Sequence, residues 1–368
     1  MQIPIPLVVL TGFLGSGKTT LLKNVLKDPA MAGTAVIVNE FGDVGLDDAL
    51  IEAAEEETVL LPPGCVCCAV RGDLVAALKQ LFDQAQSGEI PELTRVVLET
   101  SGLADPAPIA HTLMSEDDLF RLYALDGIIT TADAELIMSQ LEDHFEPAKQ
   151  LALADRILIT KTDRVDTGEI EAVRELIRGL NPAAEITAIA QGRANVDIFT
   201  GLAAFEPVAA RHHAEGWLGL DDVTAARRHG CDDEHCTDPG HDHRDGHGHP
   251  HDHNHTHGIQ AFAITYEEPL DGMKLSFAIE FLRQHHGDKL LRLKGIANVA
   301  GEPLPFVVHG VQHIFYPPTT LEAWPSDDRR SRFVFITKDL NEDTVRSVLD
   351  GLFAPASGAT APAVDVAR

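Results

Sequence analysis

The chain has 368 residues, a length that suggests about two domains. Its residues are 44% hydrophobic and 23% charged, the balance of a globular protein with a real core, and no apolar run reaches the roughly 18–20 residues that would span a bilayer. Asp and Glu outnumber Lys and Arg by 57 to 29, a net charge of −28, so the surface repels phosphate backbones and anionic lipid and suits cations; nucleic acid and membrane are not expected partners.

The first residues run straight into a Gly-rich motif without a basic flank, so no signal peptide is expected. Residues 7–10, 34–38, 95–98, 127–131, 156–159 and 185–188 are short, almost wholly apolar runs that read as strands. Helical periodicity fills stretches between them, at 21–26, 74–85 and 170–180 among others. Such strands are what a parallel sheet covered on both faces requires, so residues 1–207 read as a doubly wound α/β domain. From 208 to 258 the composition changes. Ten histidines lie between His229 and His257, separated by Asp, Gly and Pro, with Cys231 and Cys236 near the start. Nothing there builds a core, which predicts a mobile linker. Residues 260–266 alternate like a strand, 273–283 are amphipathic, and 290–299, 306–309, 313–316 and 332–337 again read as strands before a closing helix at 342–352. The order fits a small α+β domain over 259–353, with a frayed Ala- and Pro-rich tail at 354–368.

The first strand leads into Gly12-Phe-Leu-Gly15-Ser16-Gly17-Lys18-Thr19, followed by Thr20. Glycines here let successive N–H groups turn inward on phosphates, Lys18 reaches the β- and γ-phosphates, and the Thr19 hydroxyl serves Mg2+. Glu99 ends the strand at 95–98 and can hold Mg2+ through water, with Gly102 placed for a loop that senses the γ-phosphate. Thr160-Lys161-Thr162-Asp163 follows another strand. The Asp163 carboxylate matches guanine N1–H and N2–H2, whereas adenine would leave it unpaired, so GTP is the expected nucleotide.

Cys65, Cys67 and Cys68 lie within four residues of one another after Gly64, too close for an ordinary disulfide framework. They point to a reducing cytoplasm and to thiolates kept for a soft or borderline metal: Zn2+, Cu+, or Co2+ and Ni2+ with mixed ligands. Glu40 and Asp43, after the second strand, sit where a first switch is expected and could sense Mg2+ or add a carboxylate to the thiols. The alternating run His241, His243, His247, His249, His251, His253, His255 and His257 forms a loose imidazole array that can raise local metal concentration.

Together GFLGSGKTT, VNEFGDVG, GCVCC, ETSGLADP and TKTD, in that order, resemble the CobW-type metallochaperone GTPases of the zinc-chaperone branch, and Leu290-Leu-Arg-Leu-Lys-Gly295 resembles that family's C-terminal domain. The resemblance implies a SIMIBI-class G domain, GTP hydrolysis with Mg2+, metal at Cys65, Cys67 and Cys68, and delivery of that metal to a client metalloprotein. Zn2+ is the expected cargo; a cobalt or nickel chaperone, a His-rich metal buffer with a vestigial G domain, and a P-loop kinase acting on a small molecule are the alternatives. The pattern departs from the family in two places. Pro62-Pro63 precedes Gly64 and should stiffen that loop, and Thr160 replaces an Asn that braces the P-loop, which predicts a looser hold on nucleotide.

Overall fold

The computed structural model describes residues 3–38, 59–61, 71–202, 257–316 and 318–353. Seven strands form one sheet in the first half: β1 (Ile5–Gly12), β2 (Thr34–Val38), β3 (Val59–Leu61), β4 (Arg95–Glu99), β5 (Tyr123–Asp133), β6 (Arg156–Thr160) and β7 (Glu185–Ala188). Their order is β3-β2-β4-β1-β5-β6-β7, and every pairing is parallel. The chain leaves β1 for one half of the sheet and crosses from β4 to β5 in the other, which opens a crevice at the carboxyl end of β1. The strands are apolar on both faces because both faces are covered. Val8 and Leu10 of β1 join Leu21, Leu22 and Val25 of α1 (Lys18–Val25), while Leu7 and Val9 face the opposite cluster.

That opposite cluster is built by α2 (Arg71–Ser87), α3 (Ala107–Ser115), α4 (Asp117–Leu122), α5 (Ile137–Asp143), α6 (Phe145–Leu153) and α7 (Thr167–Leu180). Local chemistry fixes where α7 starts. Asp166 accepts from the Glu169 amide at 2.9 Å while Glu169 accepts from the Asp166 amide at 2.8 Å, a reciprocal capping box. The three-residue β3 escaped the sequence reading because so short an apolar run carries no periodicity; its pairing with β2, Ala35 opposite Val59, makes it a strand.

The second sheet is antiparallel: β8 (Ile259–Tyr266), β9 (Leu290–Ala297), β10 (Phe306–Val311), β11 (Ile314–Phe315), β12 (Thr319–Thr320) and β13 (Ser331–Lys338), in the order β11-β10-β9-β13-β8 with β12 on β10. One face packs under α8 (Gly272–His286) and α9 (Glu342–Phe353) through Phe262, Ile264, Leu293, Phe333 and Phe335. The other face lies on the first domain. Ile259, Leu291, Val311, Ile314, Tyr316 and Ile336 belong to the same apolar cluster as α3, α6 and α7. Among the described residues no helix is long and apolar enough to cross a membrane.

Candidate functional site

At the carboxyl end of β1 the backbone turns sharply. Gly12 has φ 143°, and a Cβ there would lie 2.2 Å from Thr131 Oγ1 and 2.5 Å from the Thr131 carbonyl, so only glycine fits. Gly15 and Gly17 take φ of 72° and 93°. Ser16 Oγ lies 2.7 Å from Thr131 Oγ1, which ties the loop to β5. Lys18 opens α1 with its side chain buried. Its Nζ donates to the carbonyls of Gly12 at 2.7 Å and Phe13 at 3.3 Å, so the ammonium spans the mouth of the loop. The next residue, Thr19, donates its hydroxyl to Glu99 Oε1 at 2.9 Å. Register explains the meeting: Glu99 pairs with Leu10 across β4 and β1, level with the base of the loop. A hydroxyl and a buried carboxylate are hard oxygen donors in the arrangement that Mg2+ takes beside a nucleotide phosphate, so the residues present fit that ion.

The Thr160–Asp163 segment ends β6 and forms the turn after it. Thr160 Oγ1 reaches the Ser16 carbonyl at 2.8 Å and the Ala132 carbonyl at 3.2 Å, so one hydroxyl braces the P-loop against β5 and β6. Thr160 does the bracing expected of Asn because it stands close enough for a shorter side chain to reach. Lys161 follows with φ 56° and pairs through Nζ with Asp133 Oδ2 at 2.5 Å, while Asp133 Oδ1 accepts from the Glu135 amide at 3.0 Å. Asp163 is exposed on the turn Thr162–Arg164, and its Oδ1 accepts from the Gln191 amide at 3.2 Å. Each carboxylate oxygen offers two acceptor sites, so the side chain keeps room for two further donors. Thr20 is exposed and faces the loop after β7, where a Cβ on Gly192 would come within 2.9 Å of its Cγ2. On the far side, Gly102 lies against the P-loop: a Cβ there would be 2.6 Å from Leu14 N and 2.7 Å from Leu14 Cα. Gly12, Gly15, Ser16, Gly17, Lys18, Thr19, Glu99, Gly102 and Thr160 thus converge on one crevice, with Lys161 and Asp163 at its edge.

The profile described as the CobW/HypB/UreG nucleotide-binding domain matches residues 6–188, and the cobalamin synthesis protein CobW C-terminal domain matches residues 259–353. Zinc chaperone YjiA of Escherichia coli is 33% identical over 351 residues, 95% of this chain and 99% of that protein. The chain belongs to the CobW family of P-loop GTPases. Zinc chaperone CobW of Pseudomonas aeruginosa is 29% identical over 378 residues, covering 94% of this chain and 90% of that one. The crystal structure of Zn(II)-bound YjiA GTPase from Escherichia coli aligns with a TM-score of 0.68 at 28% identity, over 95% of this chain and 99% of that chain. GTP hydrolysis is the reaction of this CobW-family chain.

Glu40, Asp43, Cys65, Cys67 and Cys68 lie outside the described residues, as do His241, His243, His247, His249, His251, His253 and His255. The two strands that precede the cysteines in the chain are described. β2 ends at Val38 and β3 at Leu61, both at the sheet edge that carries the P-loop. His257, the last of the histidine run, is described. Its Nε2 lies 2.6 Å from the Leu141 carbonyl and its ring meets Phe145 edge-on at 5.9 Å.

A second polar cluster joins the two domains of this CobW-family chain, and sequence reasoning missed it. Arg292 on β9 donates to Asp155 and to the Leu153 carbonyl. Lys294 lies 3.4 Å from Asp155 Oδ1 and donates to the Ala183 carbonyl at 3.2 Å. His309 Nε2 is 3.1 Å from Arg292, and its ring stacks on Tyr316 at 4.6 Å. All four charged or ionisable side chains are buried. Burial drives Lys294 down to about 7, with Arg292 adding to the effect and Asp155 opposing it. Burial, then Arg292, holds His309 well below the ordinary imidazole range. Burial works to raise the Asp155 carboxyl, but Arg292 first and then Lys294 outweigh it and leave the group below its usual value. A strand with alternating charges reads as solvated on one face; here that face meets another domain. Asp133 and Gln150 were also missed, since a polar residue ending a strand or lying mid-helix carries no motif.

Proposed function

We propose that this GTPase binds a thiophilic divalent metal, Zn2+ foremost, at Cys65, Cys67 and Cys68 and passes it to a client metalloprotein under nucleotide control. Lys18 and Thr19 serve the phosphates and Mg2+, Glu99 holds Mg2+ through water, and Asp163 selects guanine. Mg2+ supplies charge neutralisation on the β- and γ-phosphates. The observation that carries the reading is topological. Leu61 ends a strand on the P-loop edge of the sheet, three strand positions from β1, a span of about 14 Å. Cys65 is four residues beyond Leu61, a reach of up to about 14 Å of extended chain. The thiols are therefore tethered within range of the loops that meet the phosphates, and Glu40 and Asp43 follow β2 from the same edge. Two relatives are named zinc chaperones, which supports zinc as the cargo.

Nucleotide control requires that metal affinity differ between the GTP and GDP states, and the coupling is reciprocal. Competition against a chromophoric chelator, with Zn2+ and a non-hydrolysable GTP analogue or GDP, reads the difference, expected at about 5–150-fold. Equal affinities remove the coupling. Replacing Cys65, Cys67 and Cys68 by Ser is expected to abolish tight binding while GDP affinity is kept; tight binding that survives would assign the metal elsewhere. Co2+ or Ni2+ held more tightly than Zn2+ in the same assay would change the cargo.

A further inference from the structure

Helix α6 is gripped along its whole length. Gln150, 1% exposed, donates from Nε2 to the carbonyls of Gly102 at 3.1 Å and Ala104 at 3.0 Å. Its neighbour Lys149 pairs with Asp105 at 2.6 Å, and Asp105 accepts from the Ala107 amide at 3.0 Å at the start of α3. Two consecutive side chains of α6 therefore pin the loop that follows Glu99 and lies against Leu14 of the P-loop. Gln150 Oε1 has no hydrogen-bond partner among the described residues. A buried amide with its acceptor unmet is a costly filler, so its two N–H bonds to the loop are the reason for its type.

The same helix seats the C-terminal domain. At one end Phe145 carries the Lys338 ammonium of β13 over its ring at 3.7 Å, and the His144 ring, just before α6, lies tilted against Phe13 of the P-loop at 5.0 Å. At the other end the Leu153 carbonyl and Asp155 hold Arg292 of β9. Asn181 donates to the Leu151 carbonyl at 2.7 Å and the Ala154 carbonyl at 2.9 Å, which fixes that end. A nine-residue helix is about 13.5 Å long, and its buried residues, Pro147, Ala148 and Gln150 to Leu153, pack closely, so a displacement at its ends is carried to its middle.

We propose that Gln150 is a positioning residue for GTP hydrolysis, and that the seating of the C-terminal domain on α6 sets its position, so that loosening the seat slows hydrolysis without weakening nucleotide binding. Gln150 bonds the loop after Glu99 and not the P-loop itself, which is held separately by Ser16, Lys18 and Thr160, so the effect falls on the chemical step. Linkage makes the relation mutual: the state of the loop also biases how the C-terminal domain sits. The inference rests on hydrolysis occurring at the P-loop and does not depend on the metal.

The test is steady-state GTP hydrolysis by full-length variants, with fluorescent GDP titration alongside. Gln150→Met keeps the volume and loses both donors. It is expected to lower kcat about tenfold, as sub-ångström misplacement of a catalytic loop does, with KM for GTP within about twofold. Arg292→Met is expected to act in the same direction, Arg292→Lys to recover part of the loss, and the double variant to be no slower than the slower single, because both act on one loop. Wild-type kcat in Gln150→Met, losses that multiply in the double variant, or weakened GDP binding with kcat intact would each overturn the proposal. If Arg292→Met does not fold, Lys338→Met, which loosens the seat at Phe145, replaces it, with about a threefold fall in kcat expected; wild-type kcat there overturns the relay. Turnover that survives Lys18→Ala would instead refute hydrolysis at the P-loop, a separate failure.

Discussion

Gly102 offers a sharp test of how closely the loop after Glu99 approaches the P-loop. In Gly102→Ala the new methyl would sit 2.6 Å from Leu14 N and 2.7 Å from Leu14 Cα, about 0.8 Å short of an ordinary 3.4 Å contact. Those are backbone atoms of a loop already held by Ser16, Lys18 and Thr160, so they cannot rotate away as a side chain would. The backbone of Gly102 has no positive φ, so the penalty is contact alone. Overpacking of this kind costs about 1–3 kcal/mol. If the loop after Glu99 yields, the cost falls on the transition state, and a displacement near 1 Å lowers kcat by about 10- to 100-fold. If the P-loop yields, GDP affinity falls instead. Steady-state hydrolysis, GDP titration and thermal unfolding on one preparation separate the two. Wild-type values in all three would refute the close approach.

Thr160→Val removes the hydroxyl that braces the Ser16 carbonyl and is expected to weaken GDP binding about fivefold, near 1 kcal/mol, whereas Thr160→Asn retains affinity; fluorescent GDP titration measures both. Arg292→Met leaves Asp155 buried without its main partner and is expected to destabilise by about 3–5 kcal/mol in urea unfolding, with part of the loss recovered when Asp155→Asn is added. Lys294, held near 7 in the fold, is protonated in the unfolded chain up to about 10.4, so between those values the unfolded state binds more protons and stability from this residue rises with pH. Lys294→Met is expected to flatten that rise, read as urea midpoints at about pH 7 and about pH 9.5 for both proteins. His309 is neutral in the fold, so stability is lost as pH falls below about 6.5, where only the unfolded imidazole takes a proton; His309→Phe removes that part of the acid sensitivity.

The P-loop, the strand-end carboxylate and the TKTD turn are local chemistry: each is a run of a few residues that is legible from its spacing alone. The parallel strands are equally legible, because burial on both faces leaves continuous apolar runs such as Ile5–Gly12 and Arg156–Thr160. Thr160 shows the limit. Its residue type suggested a weak brace, but the distance to the Ser16 carbonyl, which no sequence states, makes the shorter side chain sufficient.

Arg292 and Lys294 show the larger limit. In Leu290–Ala297 the alternation of apolar and charged residues is that of a half-solvated strand, so local pattern alone puts both charges in water. The tertiary structure lays that face on α6 and the start of β6, where Asp155 and the Leu153 carbonyl await the charges. Gln150 is equally silent in sequence, one amide on an amphipathic helix, until α6 brings it beneath Gly102 and Ala104. The sequence by itself determined the P-loop GTPase class, because its motifs are runs of contiguous residues. Only the tertiary structure decided how the second domain reaches that chemistry, because the contacts join residues more than 100 positions apart and a buried charge declares its partner only when the two surfaces meet.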